Sequence, residues 1–380
     1  MTKTQVAATF DPVAAVNAVA EVAREHAARV DSKAEFPYQA IDAARARGLF
    51  GLISAKEVGG HGAGLRQAAD VIERLARECG STAMVMTMHY CGTAVIEKHG
   101  PVEARRAIAA GKHLSTLAFS ESGSRSHFWA PVGLARADGA HVVLDASKSW
   151  ITSAHHADAY VWSSKPAAAE GMSTLWLVER STPGVTIDGG FDGIGLRGND
   201  SAPVKASGAR IPAANRLGGD GDGFGIMMQT VLPTFSVLIS SGSVGMMEAA
   251  VEKTVEHVGN MKYAHLAGSA LNDLPTIRAY VARMRIQTDL ARALWNDAIA
   301  ALEGGRPDAM LRVLEVKAAT AESAREVLDT AMRVCAGQAF RKDVGVERRF
   351  RDTRAALIMA PTSDQLYDFI GKAVCGLPLF

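Results

Sequence analysis

The chain is expected to fold as an α+β multidomain protein. An N-terminal α-helical domain would span residues 1–115, a middle β-barrel or sandwich domain 116–225, and a C-terminal α-helical bundle 226–380. Three observations carry that expectation: apolar residues at helical spacing early in the chain, short β-prone runs bounded by Gly, Pro, Asn and Asp in the middle, and long helix-periodic stretches after a glycine-rich linker.

In the first zone Ile41, Ala44 and Leu49, and later Val71, Ile72, Leu75 and Ala76, fall on apolar faces of helices. Gly59, Gly60, Gly62 and Gly64 crowd into six residues and demand a loop between helices. In the middle zone His141–Leu144, Ala159–Trp162 and Thr174–Val178 read as strands whose length and spacing suit a small barrel or sandwich. The turn-rich linker Leu217–Gly223 leads into the last zone, where Leu274–Leu302 and Arg312–Cys335 predict two long helices, the first starting near Pro275. The stretch Gly223–Met247 holds 25 consecutive uncharged residues, a length that raises a membrane span. Its four glycines, four serines, Gln229 and Pro233 dilute its hydrophobicity and predict instead a helix buried in the bundle.

Composition narrows the function classes. A hydrophobic share of 48% and a charged share of 21% over 380 residues are those of a globular chain that folds without disulfides. A net charge of +1 offers no footprint for nucleic acid or an anionic membrane, so neither is expected as a partner. Cys79, Cys91, Cys335 and Cys375 are scattered without metal-ligand spacing and read as reduced, mostly buried thiols. That cysteine usage implies no metal and a cytoplasmic location, and Met1–Ala14 shows no basic, apolar leader of a secretory signal.

Several segments carry a resemblance. Arg351-Asp352-Thr353-Arg354, followed by Ala360-Pro361-Thr362, resembles the C-terminal signature of the acyl-CoA dehydrogenase superfamily. Ser147-Lys148-Ser149-Trp150-Ile151-Thr152-Ser153 is similar to its Gly-x-Lys-x-Trp-Ile-Thr segment, and Leu117-Ala118-Phe119-Ser120-Glu121 to its Ala-Leu-Thr-Glu-Pro loop. Gly195-Leu196-Arg197-Gly198 and Ile211-Pro212-Ala213-Ala214-Asn215-Arg216-Leu217-Gly218 continue the match, which covers essentially the whole chain. The resemblance implies FAD, or reduced flavin supplied in trans, held by Leu117, Phe119, Ser120, Ser126, Trp150, Ile151, Thr152, Gly337 and Thr362. Trp150 would lie against the isoalloxazine and Thr152 near its N5. Taken alone, Trp150 reads equally as a core aromatic at a strand end and Thr152 as a turn residue. Arg125 and His127 depart from the family loop. The resemblance further implies an acyl-thioester substrate, a homotetramer, and a flavin reductase or electron-transfer flavoprotein as partner. The apolar C-terminal tail is expected to dock on its own or a neighbouring subunit.

The main departure is a missing base. The family signature carries a catalytic Glu where this chain has Ala360, and the alternative base positions fall on Phe235 and Ser236. The α-carbon of a thioester is a very weak acid, and one general base supplies about 10²- to 10⁴-fold in rate. His89 and His127 are the candidate replacements, because imidazole titrates near neutrality; each also reads as a structural histidine. Three functions remain open: acyl-thioester dehydrogenation with an unconventional base, flavin-dependent monooxygenation with oxygen, and a non-catalytic flavoprotein subunit.

Overall fold

The computed structural model describes residues 10–379, Ser126 and Ala267 excepted. Among the described residues five helices come first: α1 (Pro12–Lys33), α2 (Tyr38–Ala46), α3 (Leu65–Glu78), α4 (Gly80–His99) and α5 (Val102–Ala109). Asp11 starts α1 by accepting the N–H groups of Val13 and Ala14, and Pro12 occupies its first position. Between α2 and α3 the glycine-rich segment is a loop preceded by one 3-10 turn, and His61 stacks on Phe10 there.

Eight strands follow: β1 (Ser115–Ala118), β2 (Leu134–Asp138), β3 (His141–Ile151), β4 (Ala159–Ser164), β5 (Thr174–Glu179), β6 (Val185–Ile187), β7 (Ala202–Pro212) and β8 (Arg216–Leu217). They form two four-stranded sheets ordered β1-β4-β5-β8 and β2-β3-β7-β6. The arrangement is a sandwich: Tyr160, Trp162, Trp176 and Val178 of the first sheet pack on Val142, Leu144, Val204 and Ile211 of the second. The other face of the first sheet, with Leu117, Val161 and Leu177, joins the core of the helical regions. Strand β4 is therefore buried along its whole length, and its unbroken apolar run has a physical reason.

After the linker, α6 (Gly223–Ile226) passes through one π-helical turn at Met227–Val231 into α7 (Leu232–Asn260). The bundle is completed by α8 (Pro275–Glu303), α9 (Ala309–Cys335), α10 (Val346–Ile358) and α11 (Ser363–Val374). The long uncharged segment lies inside this bundle, with 72% of its most apolar window buried. Gly245 of α7 lies against Glu73 of α3, where a Cβ would stand 2.2 Å from the Glu73 carbonyl oxygen. In the C-terminal tail Leu377 is 58% exposed, and Leu379 is partly packed on the core.

One buried ion pair ties the two sheets together. Lys148 of β3 is wholly buried, and its Nζ donates to Glu121 Oε1 (2.6 Å) and to the Ser163 carbonyl (2.7 Å) and hydroxyl (3.0 Å) on β4. Glu121, just past β1, also accepts from the N–H groups of Val132 and Gly133, which lead into β2. Burial outweighs the Glu121 charge and pushes the Lys148 ammonium down to about 8. Removing one partner strands the other charge in the interior. Glu121→Ala is expected to cost about 3–5 kcal/mol in chemical denaturation, and the double variant Lys148→Met/Glu121→Gln to recover most of it. A double variant no more stable than the single one would contradict this account.

Candidate active site

A cavity of about 810 Å³ opens where the three regions meet. Met84 and Met88 of α4 line one side, and Leu117, Phe119 and Ser120 come from β1 and the turn after it. Trp150 and Ile151 end β3 and Thr152 follows it, Val231, Leu232 and Phe235 come from the π-helical turn and α7, and Met359, Ala360, Pro361 and Thr362 follow α10. The lining is mostly apolar, with a few polar groups at one edge.

Local backbone explains how the polar edge forms. The β3–β7 ladder shifts register between Lys148 and Ile151, and Trp150 has φ 57°, in the left-handed region. A bulge of this kind breaks the alternation of side chains. Lys148 and Ile151 both point inward, while Trp150 is turned out and remains 70% exposed, edge-on to Phe191 at 6.3 Å. The strand-end alternative of a core tryptophan is thereby removed. Thr152 is buried beside it, and its hydroxyl has Ser201 Oγ at 3.5 Å as its partner among the described residues. Ser120 is held against the same strand by the Ser149 N–H, which donates to its carbonyl at 2.8 Å.

The expected residues divide sharply. Leu117, Phe119, Ser120, Trp150, Ile151, Thr152, Ala360 and Thr362 line one cavity. Ser126 lies outside the described residues. Gly337 is exposed on a 3-10 turn and does not line the cavity. His89 is fully buried away from it: Nε2 faces the Phe50 carbonyl at 3.1 Å and Nδ1 accepts from the Ser115 N–H at 3.2 Å. These partners require a neutral ring, and burial pushes it down to about 3. His127 is exposed, packs on Trp129 at 5.0 Å and also lies outside the lining. Neither histidine lines the cavity. Phe235 lines the cavity, whereas Ser236 is fully buried with its hydroxyl unpartnered among the described residues.

Charged groups at the cavity are nearly all engaged. Its carboxylates among the described residues are Glu121, locked on Lys148, and Asp192, whose side chain is 94% exposed and beside Arg197. Arg351 is paired with Asp31 and Glu347, and Arg354 with Asp329. Arg125, at φ 48°, has no hydrogen-bond or ion-pair partner among the described residues. Behind the cavity Asp352 is 4% exposed, accepts the Leu196 N–H at 2.6 Å, and is pushed by burial up to about 6. Next to it Gly195 lies directly on α10, where a Cβ would meet the Arg351 carbonyl oxygen at 2.4 Å. Sequence reasoning missed these links, since Asp352 and Leu196 are 156 positions apart.

The lining fits a flat heterocycle with polar edges. An outward-turned indole offers a planar wall, and the weakly partnered Thr152 hydroxyl is free to reach a ring atom. Trp150, Thr152, Ser120 and Phe119 would hold such a group, with Arg125 available to an anionic portion.

Comparison with known proteins gives a consistent picture. Models of the N-terminal, middle and C-terminal domains of acyl-CoA dehydrogenase match residues 13–111, 116–208 and 221–375. The bovine (Bos taurus) mitochondrial short-chain specific acyl-CoA dehydrogenase is 31% identical over 349 residues, covering 89% of this chain and 82% of that protein. Among solved structures, butyryl-CoA dehydrogenase from Megasphaera elsdenii superposes with TM-score 0.89 at 21% identity, covering 99% of this chain and 100% of that one. The structure described as PigA with FAD and proline superposes with TM-score 0.88 at 19% identity, over 99% of both chains. The two structural likenesses show the fold.

Two outcomes are expected of the site. Trp150→Ala removes an exposed side chain, so it should leave the melting temperature nearly unchanged while weakening flavin retention in equilibrium dialysis about tenfold or more; unchanged retention would dismiss the platform. For Asp352 the folded value of about 6 lies above the ordinary 3.8, so the folded state binds more protons between those values and stability falls as pH rises through them. Asp352→Asn keeps an acceptor for Leu196 and lacks that loss. Relative to wild type it should gain about 2–3 kcal/mol between pH 4 and 8 in urea titrations, and a difference independent of pH would refute the assignment.

Proposed function

Because the chain belongs to the acyl-CoA dehydrogenase family, whose members are FAD-dependent oxidoreductases, we propose that its cavity holds FAD against Trp150 and Thr152 and admits an acyl thioester between that platform and the Met359–Thr362 wall. The observation that carries this reading is the bulge at the end of β3, which turns Trp150 out of the sandwich into a cavity that Ala360 also lines. When bound, FAD supplies a two-electron acceptor for hydride from the substrate. The protein's own part is to exclude water with an apolar lining, to hold the acyl chain along Met84, Met88 and Phe235, and to present the Thr152 hydroxyl at the ring edge.

Proton removal sets this site apart. Where the family signature places its Glu, Ala360 has no proton acceptor, and Glu121 and Asp192 are respectively ion-paired and at the rim. No described histidine lines the cavity. That shortage favours a second reading, in which reduced flavin and oxygen hydroxylate the substrate and no α-proton has to be abstracted. In the first reading electrons would leave to an electron-transfer flavoprotein; in the second a reductase would supply the flavin. Gly337, outside the cavity, would serve the cofactor only from a second copy, and exposed Ile286 and Leu290 on α8 offer an apolar face for homotetramer assembly.

The test is anaerobic mixing of the FAD-loaded protein with saturated acyl-CoAs, followed by loss of the oxidised flavin band. Wild type is expected to bleach slowly, and Ala360→Glu about 10²-fold faster or more, because it restores a carboxylate at the vacant place. If the variant binds the acyl-CoA without accelerating, the dehydrogenase geometry is wrong. Oxygen-dependent product formation by wild type with reduced flavin would then decide for hydroxylation.

A further inference from the structure

Lys317, in the interior of α9, has none of its surface exposed. No carboxylate among the described residues pairs with it, and burial alone pushes its ammonium down to about 7. Its Nζ donates to the carbonyls of Ala356 and Met359, both at 3.0 Å. These carbonyls stand at the end of α10, where backbone acceptors have run out of partners within the helix and the helix dipole is negative. A cation satisfies both at once, and charge-assisted bonds of this kind are stronger than neutral ones.

What those carbonyls carry gives the lysine its meaning. Met359 lines the cavity, after Ala355, Leu357 and Ile358 of α10 and before Ala360, Pro361 and Thr362. At its far end the wall is anchored by Thr362, whose hydroxyl accepts the Gln365 N–H at 3.3 Å and caps α11. At the near end the anchor is Lys317, reaching over from another helix. An unpaired ammonium in the interior is costly, and an apolar side chain of equal length would fill the same space without that cost.

We infer that Lys317 is a positioning residue of the active site: by clamping the last carbonyls of α10 it sets where the Met359–Thr362 wall stands against the platform of Trp150 and Thr152. The inference rests on reading the cavity as the catalytic site. Lys317 does not line the cavity and acts through the backbone it holds.

Amide hydrogen exchange on the full-length, FAD-loaded protein tests it. Lys317→Met keeps the length and apolar body of the side chain and removes its donors, while Lys317→Gln keeps two N–H donors without the charge. Exchange across residues 355–364 is expected to rise about tenfold or more in Lys317→Met, to rise less in Lys317→Gln, and to stay unchanged in α3 and the sandwich. Unchanged exchange in 355–364, or an equal rise throughout the chain, would overturn the inference. Should Lys317→Met fail to fold, the same two outcomes are read from Lys317→Gln alone. Spectral perturbation of the flavin by butyryl-CoA, measured alongside, decides the functional reading by itself, so the two failures remain distinguishable.

Discussion

The ion pair between Lys148 and Glu121 is the constraint on which the rest of the site depends. It joins β3 of one sheet to β4 and the end of β1 of the other, with both side chains essentially removed from water. Two residues after Lys148 the backbone bulges and presents Trp150, and one residue before Glu121 stands Ser120. The pair therefore fixes the relative position of the two segments that form the polar edge of the cavity. A charge pair is a demanding choice for this place, since its desolvation is repaid only while every donor and acceptor is satisfied. Here Glu121 accepts from Lys148, Val132 and Gly133, and Lys148 donates three bonds, so the requirement is met.

Opposite that edge the same economy of charge recurs with a different result. Arg351 is spent on Asp31 and Glu347, Arg354 on Asp329, and Lys317 on two carbonyls. Most charged groups at the cavity are thus occupied with holding it together, and Arg125 is the exception among the described residues.

Much of the site was legible because it is local. Trp150-Ile151-Thr152 and Phe119-Ser120 are short contiguous segments, and the structure brings both to one cavity with Ala360 and Thr362. The placement of the histidines was not legible for an equally physical reason: imidazole chemistry depends on solvation and partners, neither of which a spacing reveals. His89 looked available and is instead sealed between two backbone groups. The buried contacts of Lys317 and Asp352 were not legible because their partners lie far along the chain.

By itself the sequence determined the order of helices, strands and helices, the burial of the uncharged segment in the bundle, and the family of the chain. These follow from periodicity and local motifs, which act over a few residues. Only the tertiary structure decided that Trp150 faces the cavity, that the candidate histidines do not, and that two buried cations brace its opposite walls. Those outcomes depend on a register shift between strands and on desolvation, and both are properties of packed neighbours that no single segment carries.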